Sequence, residues 1–301
     1  MDSIENNKVI VSVIITTYKR PLNILMRAVE SVINQTFRDL ELIVINDNPD
    51  DPILSEAIQK KLFSASPTIK YVLLKKNSGA CYARNYGLTM AKGEFVAFLD
   101  DDDEWLPEKI EKQIQKMKDG VAIVGCDSLR VIDGKEKYYH PKYDSNDYLG
   151  SILIGNFMGS TSFPLIRKKC IQEVSGFDIN LGACQDYDLW IRLIQRYRCD
   201  FINDALVKYY ISDDSTFKHN DDKYYSTLLN ILMKYEKDRP KELSIALNNH
   251  AVNSLVYSHN IKYFIRYKSL AFSTNFFSPY NYFSSMFRII KKFKSSGMIN
   301  K

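Results

Sequence analysis

"EFVAFLDDDDEWLP", residues 94–107, sets an apolar run directly against four consecutive aspartates and then a proline-led segment. The apolar part reads as a strand over Glu94–Leu99 that is covered on both faces. Four like charges at its end repel one another unless a cation, a hydrogen-bond donor or water takes up the field. The stretch predicts a buried strand whose carboxyl end asks for a charged partner.

Upstream, the same alternation recurs. Val9–Ile15 is apolar and β-branched, and Thr16–Pro21 break it. Pro21 suits a helix start, and Leu22, Leu25, Met26, Val29, Val32 and Ile33 follow at helical spacing. A strand over Leu40–Ile45 stops at "NDNPDDP"; then come a helix over Ile53–Phe63, a strand over Ile69–Leu74, the turn "KKNSGA" and a helix over Ala80–Ala91. This is βαβ organisation, which predicts an α/β fold with a Rossmann-like, mostly parallel central sheet flanked by helices. In such sheets ligands sit outside the carboxyl ends of the strands, so "TTYKR", "NDN", "NSG" and "DDDD" are expected to converge on one cleft.

Downstream, "WLPEKIEKQIQKM" reads as a helix with Pro107 in its first turn, followed by a strand over Val121–Cys126. "GACQDYDLWIRLIQRY" turns helical from Asp186, and Asp200–Ile211 reads as a closing strand. The pattern over residues 127–165 does not fix a pairing. Beyond Asp221 the chain reads as helical and aromatic, which divides it into a catalytic domain (1–218) and a helical, basic C-terminal region (219–301).

The chain has 301 residues, is 45% hydrophobic and carries five cysteines without close pairing, so neither disorder, a disulfide framework nor a zinc site is indicated. A reducing cytosol is the expected setting, with neither a signal peptide nor a transmembrane segment. The net charge of +5 is uneven: residues 261–301 hold eight lysines and arginines and no acid. Phe283, Phe287 and Ile290 share a helical stripe beside Arg288, Lys291, Lys292 and Lys294. Such a helix can lie on an anionic membrane surface, making the protein peripheral on the inner face of the cytoplasmic membrane. The same aromatics can instead pack on the catalytic domain or a second subunit, which leaves a homo-oligomer open. Nucleic acid is not an expected partner, because the rest of the chain is acidic.

Each cluster carries a chemical and a plain reading. Oxygen ligands at a strand end suit Mn²⁺ or Mg²⁺, whereas an acidic turn can simply cap the following helix. Asp47 can accept from a base or ribose, or form a local turn. Arg84 has the shape for diphosphate, or is a solvated helix arginine. Asp186 can take the proton of an attacking hydroxyl, while Asp188 is better placed as a cap. No phosphate-binding glycine loop of known spacing and no nucleophile elbow is present.

With these pieces in order the chain resembles family 2 glycosyltransferases of the A-type nucleotide-diphospho-sugar fold. The resemblance is carried by "VSVIITTYKRP", "SVINQTFRDLELIVINDN", "NSGACYARNYGLTMAKGEFVAFLDDDDEWLPEKI" and "CQDYDLWIRL", over residues 9–215. It implies that Thr16, Tyr18 and Arg20 line a nucleotide pocket, Asp47 recognises uracil and Arg84 approaches the base or diphosphate. It places the D-x-D element on Asp100, Asp101 and Asp102, with Asp102 the metal ligand and Asp101 near the ribose or metal waters, and makes Asp186 the catalytic base. The implied activity is inverting, metal-dependent transfer of a hexose or N-acetylhexosamine from a UDP-sugar to a saccharide acceptor. That acceptor is expected on a lipid diphosphate such as undecaprenyl diphosphate, in bacterial O-antigen or capsule synthesis. Two departures stand out: Asn46-Asp47 where relatives carry paired aspartates, and Gln185-Asp186 where many carry Glu-Asp. A nucleotidyltransferase is the alternative enzyme, although "TTYKRP" lacks the glycine-rich loop it needs; a non-catalytic UDP-sugar-binding protein is the other alternative.

Overall fold

The computed structural model describes residues 10–211, 222–258 and 261–275. The aromatic and basic stripe from Phe283 to Lys294 lies outside the described residues, as does the expected start of the first strand at Val9.

Strand β1 (Val11–Thr17) leads into helix α1 (Leu22–Ile33), β2 (Leu40–Asn46), α2 (Pro52–Ala65), β3 (Lys70–Leu73), α3 (Ala80–Met90) and β4 (Phe95–Asp100). These four strands are parallel, in the order β3-β2-β1-β4. The first strand runs two residues past the expected break, because Thr16 and Thr17 still pair with Ile45 and Asn46. Pro21 sits just before α1 rather than within its first turn. Val11, Val13 and Ile15 point into a core shared with Leu25, Val29, Leu42, Val44 and Leu62. On the opposite face α3 approaches β1 closely: a Cβ on Gly87 would lie 2.6 Å from Ile14 Cγ2, so only glycine fits there.

After β4 come the two-residue strand β5 (Glu104–Trp105), helix α4 (Lys109–Lys116) and the long strand β6 (Val121–Ile132), which hairpins into β7 (Lys135–Tyr139). Helix α5 (Tyr148–Ile154), β8 (Leu165–Arg167), α6 (Lys168–Glu173), α7 (Gln185–Arg196) and β9 (Arg198–Tyr210) follow. β8 runs antiparallel to both β4 and β6, β6 is parallel to β9, and β9 takes β5 on its far edge. The sheet is thus parallel through its first four strands and mixed beyond them. Pro107 lies ahead of α4, since Glu104 and Trp105 are drawn into pairing with Lys208 and Val207.

The chain forms two compact units. The first takes the chain through Pro141, then Met158–Asn180, then from Gln185 through β9. The second gathers Lys142–Phe157, Leu181–Cys184 and the helices α8 (Asp222–Met233), α9 (Pro240–Ser258) and α10 (Ile261–Thr274). Within it Tyr225, Tyr263 and Tyr267 form a buried aromatic cluster, and Arg239, just ahead of α9, meets Asp147 at the start of α5 at 3.2 Å. Among the described residues no helix is long and apolar enough to cross a membrane.

Candidate active site

Parallel pairing aligns the carboxyl ends of β1, β2 and β4. Thr16 stands beside Asp100 on one side and Ile45 on the other, and the Asp47 N–H donates to the Thr17 carbonyl at 2.9 Å. The predicted groups of the first three loops therefore lie along one rim. Tyr18 is exposed there, and Lys19 beside it adopts a left-handed backbone at φ 53°.

Arg20 reaches from that loop to the acidic run: its Nε is 2.8 Å from Asp101 and its Nη2 is 2.9 Å from Asp102. Arg84, from the second turn of α3, meets Asp100 at 2.8 Å, and Thr161 Oγ1 donates to the same Asp100 oxygen at 2.7 Å. A third guanidinium, that of Arg27 on α1, donates to the Asp102 carbonyl and lies 3.5 Å from the centre of the Tyr210 ring. The repulsion within the run is thus met by arginines and hydroxyls supplied by the fold itself.

Asp47 is buried, and both its oxygens are engaged. It accepts from the N–H of Ser78 at 2.8 Å and of Gly79 at 2.7 Å, and so holds the turn that starts α3. Gly79 sits there at φ 84°, a conformation that favours glycine. Asn46, where a carboxylate is missing, instead spends its amide on Ser55 at 3.1 Å and the Tyr71 hydroxyl at 3.0 Å.

Asp186, at the start of α7, lies in the field of Arg84 and Asp100. Burial raises its pKa to about 6; the Tyr187 N–H and Arg84 oppose the shift, and Asp100 adds to it. Asp188 takes a different part: it pairs with Arg192 at 2.8 Å, and Arg192 also holds the carbonyls of Val174 and Gly176. Burial raises Asp101 to about 6 against the pull of Arg20, and raises Asp102 with help from Asp100. Asp103 is raised well above the usual carboxylate range by complete burial, with Asp100 adding to it.

Among the described residues no set of three or more carboxylate, imidazole or thiol groups is arranged to hold a metal by itself. Asp102 is nevertheless the most open of the four aspartates, its side chain 40% exposed against 26% for Asp100 and 8% for Asp101. Four carboxyl groups (Asp100, Asp101, Asp102 and Asp186) lie among three guanidiniums (Arg20, Arg27, Arg84), leaving a formal excess of one negative charge. One open carboxylate with that excess fits a hard divalent ion whose shell is completed by phosphate oxygens.

A family model described as "Glycosyl transferase family 2" matches residues 12–175, more than half of the chain. The chain belongs to glycosyl transferase family 2. The chain is 36% identical over 233 residues to an uncharacterized glycosyltransferase of Rickettsia bellii, covering 73% of the chain but only 31% of that longer relative. It is 33% identical over 171 residues, 54% of each chain, to the GalNAc(5)-diNAcBac-PP-undecaprenol beta-1,3-glucosyltransferase of Campylobacter jejuni. The S. aureus TarS 1-349 structure in complex with UDP-GlcNAc matches at a TM-score of 0.67 and 15% identity, over 95% of this chain and 90% of that one. The chain thus has the A-type fold that its motifs imply.

Sequence reasoning overlooked Arg27, Thr161, Ser162 and Tyr210. Arg27 is legible only as a solvated helix residue, and the two hydroxyls fall in the segment whose pairing the sequence does not fix. Tyr210 is visible only as part of a closing strand.

Proposed function

We propose that this glycosyltransferase moves a hexose or N-acetylhexosamine from a UDP-sugar to a saccharide acceptor with inversion at the anomeric carbon. The observation that carries the reading is the gathering of Asp186, Arg84 and the Asp100–Asp102 run at the carboxyl ends of the parallel strands. Thr16, Tyr18 and Arg20 line the nucleotide pocket, and Asp47 contributes through the Ser78–Gly79 turn and its remaining lone pairs. Arg84 and Asp100 border the diphosphate, and Asp101 faces the ribose.

Asp102 would hold Mn²⁺ or Mg²⁺, which when bound supplies Lewis-acid stabilisation of the departing diphosphate. Asp186 accepts the proton of the acceptor hydroxyl. The hydroxyl oxygen then forms its bond to the anomeric carbon as the carbon–oxygen bond to UDP breaks, so an α-linked donor yields a β-linkage. A base with pKa about 6 is ionised at neutral pH yet still basic enough to take a proton in the transition state.

The Campylobacter relative's name places its acceptor on PP-undecaprenol. A lipid-diphosphate-linked saccharide, in bacterial O-antigen or capsule synthesis, is the acceptor we infer here. Catalysis falls to the first compact unit, and the helical unit with its basic chain end serves contact with an anionic membrane surface.

Incubating the full chain with individual UDP-sugars and Mn²⁺ tests the reading without knowledge of the acceptor. Slow release of UDP from one donor is the expected result. No hydrolysis of any UDP-sugar, together with no calorimetric binding of UDP, would overturn it.

A further inference from the structure

The fourth aspartate takes no part in the chemistry just proposed, yet it is the most deeply placed of the run, with Asp103 only 1% exposed. Its two carboxylate oxygens serve two different parts of the fold. One accepts from Ser162 Oγ at 2.6 Å, in the segment ahead of β8; the other accepts from the Tyr210 N–H at 3.2 Å, at the last residue of β9. Its own N–H donates to the Asp100 carbonyl at 3.1 Å and closes residues 100–103 into a turn.

Ser162 works in both directions. While donating to Asp103, its hydroxyl accepts the Asp100 N–H at 3.1 Å, so one side chain ties both ends of the turn. Trp105 Nε1 then donates to the Ser162 carbonyl at 2.8 Å and fixes that residue's backbone. On the far side Arg27 holds the Asp102 carbonyl and stacks on Tyr210, whose hydroxyl donates to Glu104 at 2.9 Å. The turn is thereby clamped before, within and after Asp102, which is left as its most open carboxylate.

We propose that Asp103 is a positioning residue: by bridging Ser162 and Tyr210 it fixes the peptide geometry that presents Asp102 to a divalent cation bound with the nucleotide diphosphate. This rests on the reading given under the proposed function. The bridge calls for a carboxylate because both partners present donors. An asparagine offers one acceptor oxygen and sets its amide hydrogens against the other donor. Loss of a bridge one residue from the metal carboxylate lets that carboxylate leave its productive direction, which costs affinity without removing any group that touches the ligand.

The test compares the wild-type full chain with Asp103→Asn and Ser162→Ala. Calorimetric Kd values are measured for UDP alone and for UDP with Mn²⁺, Mn²⁺ binding is followed by electron paramagnetic resonance, and thermal melts accompany both. In the two variants we expect the Kd for UDP with Mn²⁺ to rise at least tenfold while the Kd for metal-free UDP stays within twofold of wild type. The metal-dependent split is the readout that a merely structural residue would not move. Variants that melt lower but keep wild-type affinity for UDP with Mn²⁺ overturn the proposal. If Asp103→Asn does not fold, Ser162→Ala alone decides between these outcomes, since it removes one end of the same bridge. A wild-type chain that binds UDP neither with nor without Mn²⁺ brings down the functional reading itself, and this proposal with it.

Discussion

Replacing Asp186 by asparagine should sharply slow transfer and at the same time stabilise the protein. Burial lifts this carboxyl from 3.8 to about 6. The sign of the effect follows from linkage: a group whose folded pKa exceeds its unfolded one holds its proton more tightly in the fold, so its favourable contribution is lost as pH rises through 6. At pH 7.5 the ionised Asp186 is therefore a cost, of about 3 kcal/mol for roughly two pKa units. Because the residue is half-buried, solvent screening reduces this to about 1–2 kcal/mol. Asp186→Asn should accordingly melt ~3–6 °C higher in a scan at pH 7.5. Transfer, read as UDP release in the presence of acceptor, should fall by about 10²–10⁴ for loss of a general base. In the wild type kcat/KM should drop about tenfold between pH 7 and pH 5, a limb that reports the free enzyme's base and that the variant should lack. A variant that transfers at the wild-type rate, or that melts lower, would refute the assignment.

Lys109 is fully buried, 2.7 Å from Gln113 Oε1 and 4.1 Å from the centre of the Trp105 ring, and burial lowers its pKa to about 8. Between pH 8 and about 10.5 the unfolded chain keeps a proton that the folded one has lost, so wild-type stability gains from rising pH there. Lys109→Met should be about 1 kcal/mol more stable at pH 7 once the lost hydrogen bond and cation–π contact are offset, and urea titrations should show its advantage shrinking by pH 10. Gly159 lies at φ 75°, and a Cβ there would sit 1.9 Å from Phe163 Cδ2. Gly159→Ala should cost about 2–4 kcal/mol from backbone strain and overpacking, visible as a melting point ~5–10 °C lower. Asp47→Ala strips the acceptors from the Ser78 and Gly79 amides. Hydrogen exchange at those two amides should accelerate, with a stability loss of about 2–3 kcal/mol by chemical denaturation.

The parallel half of the sheet was legible because its strands are apolar runs bounded by polar turns and α1 keeps a clean apolar period; β2 and α3 fall within a residue or two of their expected limits. The rim was legible for the same reason, since a motif at a strand's carboxyl end has its place fixed by the sheet. What escaped depends on contacts between distant segments. The pairing of Glu104–Trp105 with β9 and the bridge from Asp103 to Ser162 and Tyr210 leave no periodic trace. Strand β6 runs to Ile132 through a bulge at Asp127, which interrupts the two-residue alternation of a regular strand. Lys109 sits in a charged helix, "EKIEKQIQK", and nothing local says that this lysine alone among its neighbours is sealed in the core.

The helical unit is not a simple suffix to the chain. It takes Lys142–Phe157 from between β7 and β8, and Asp147 of that excursion pairs with Arg239, some ninety positions later. Cutting the polypeptide once after the last strand would leave that excursion without its helical companions and bare apolar side chains such as Ile152 and Leu153. The two halves are therefore interleaved in genetic order, and a graft that swaps the C-terminal helices between relatives must carry the excursion along with them.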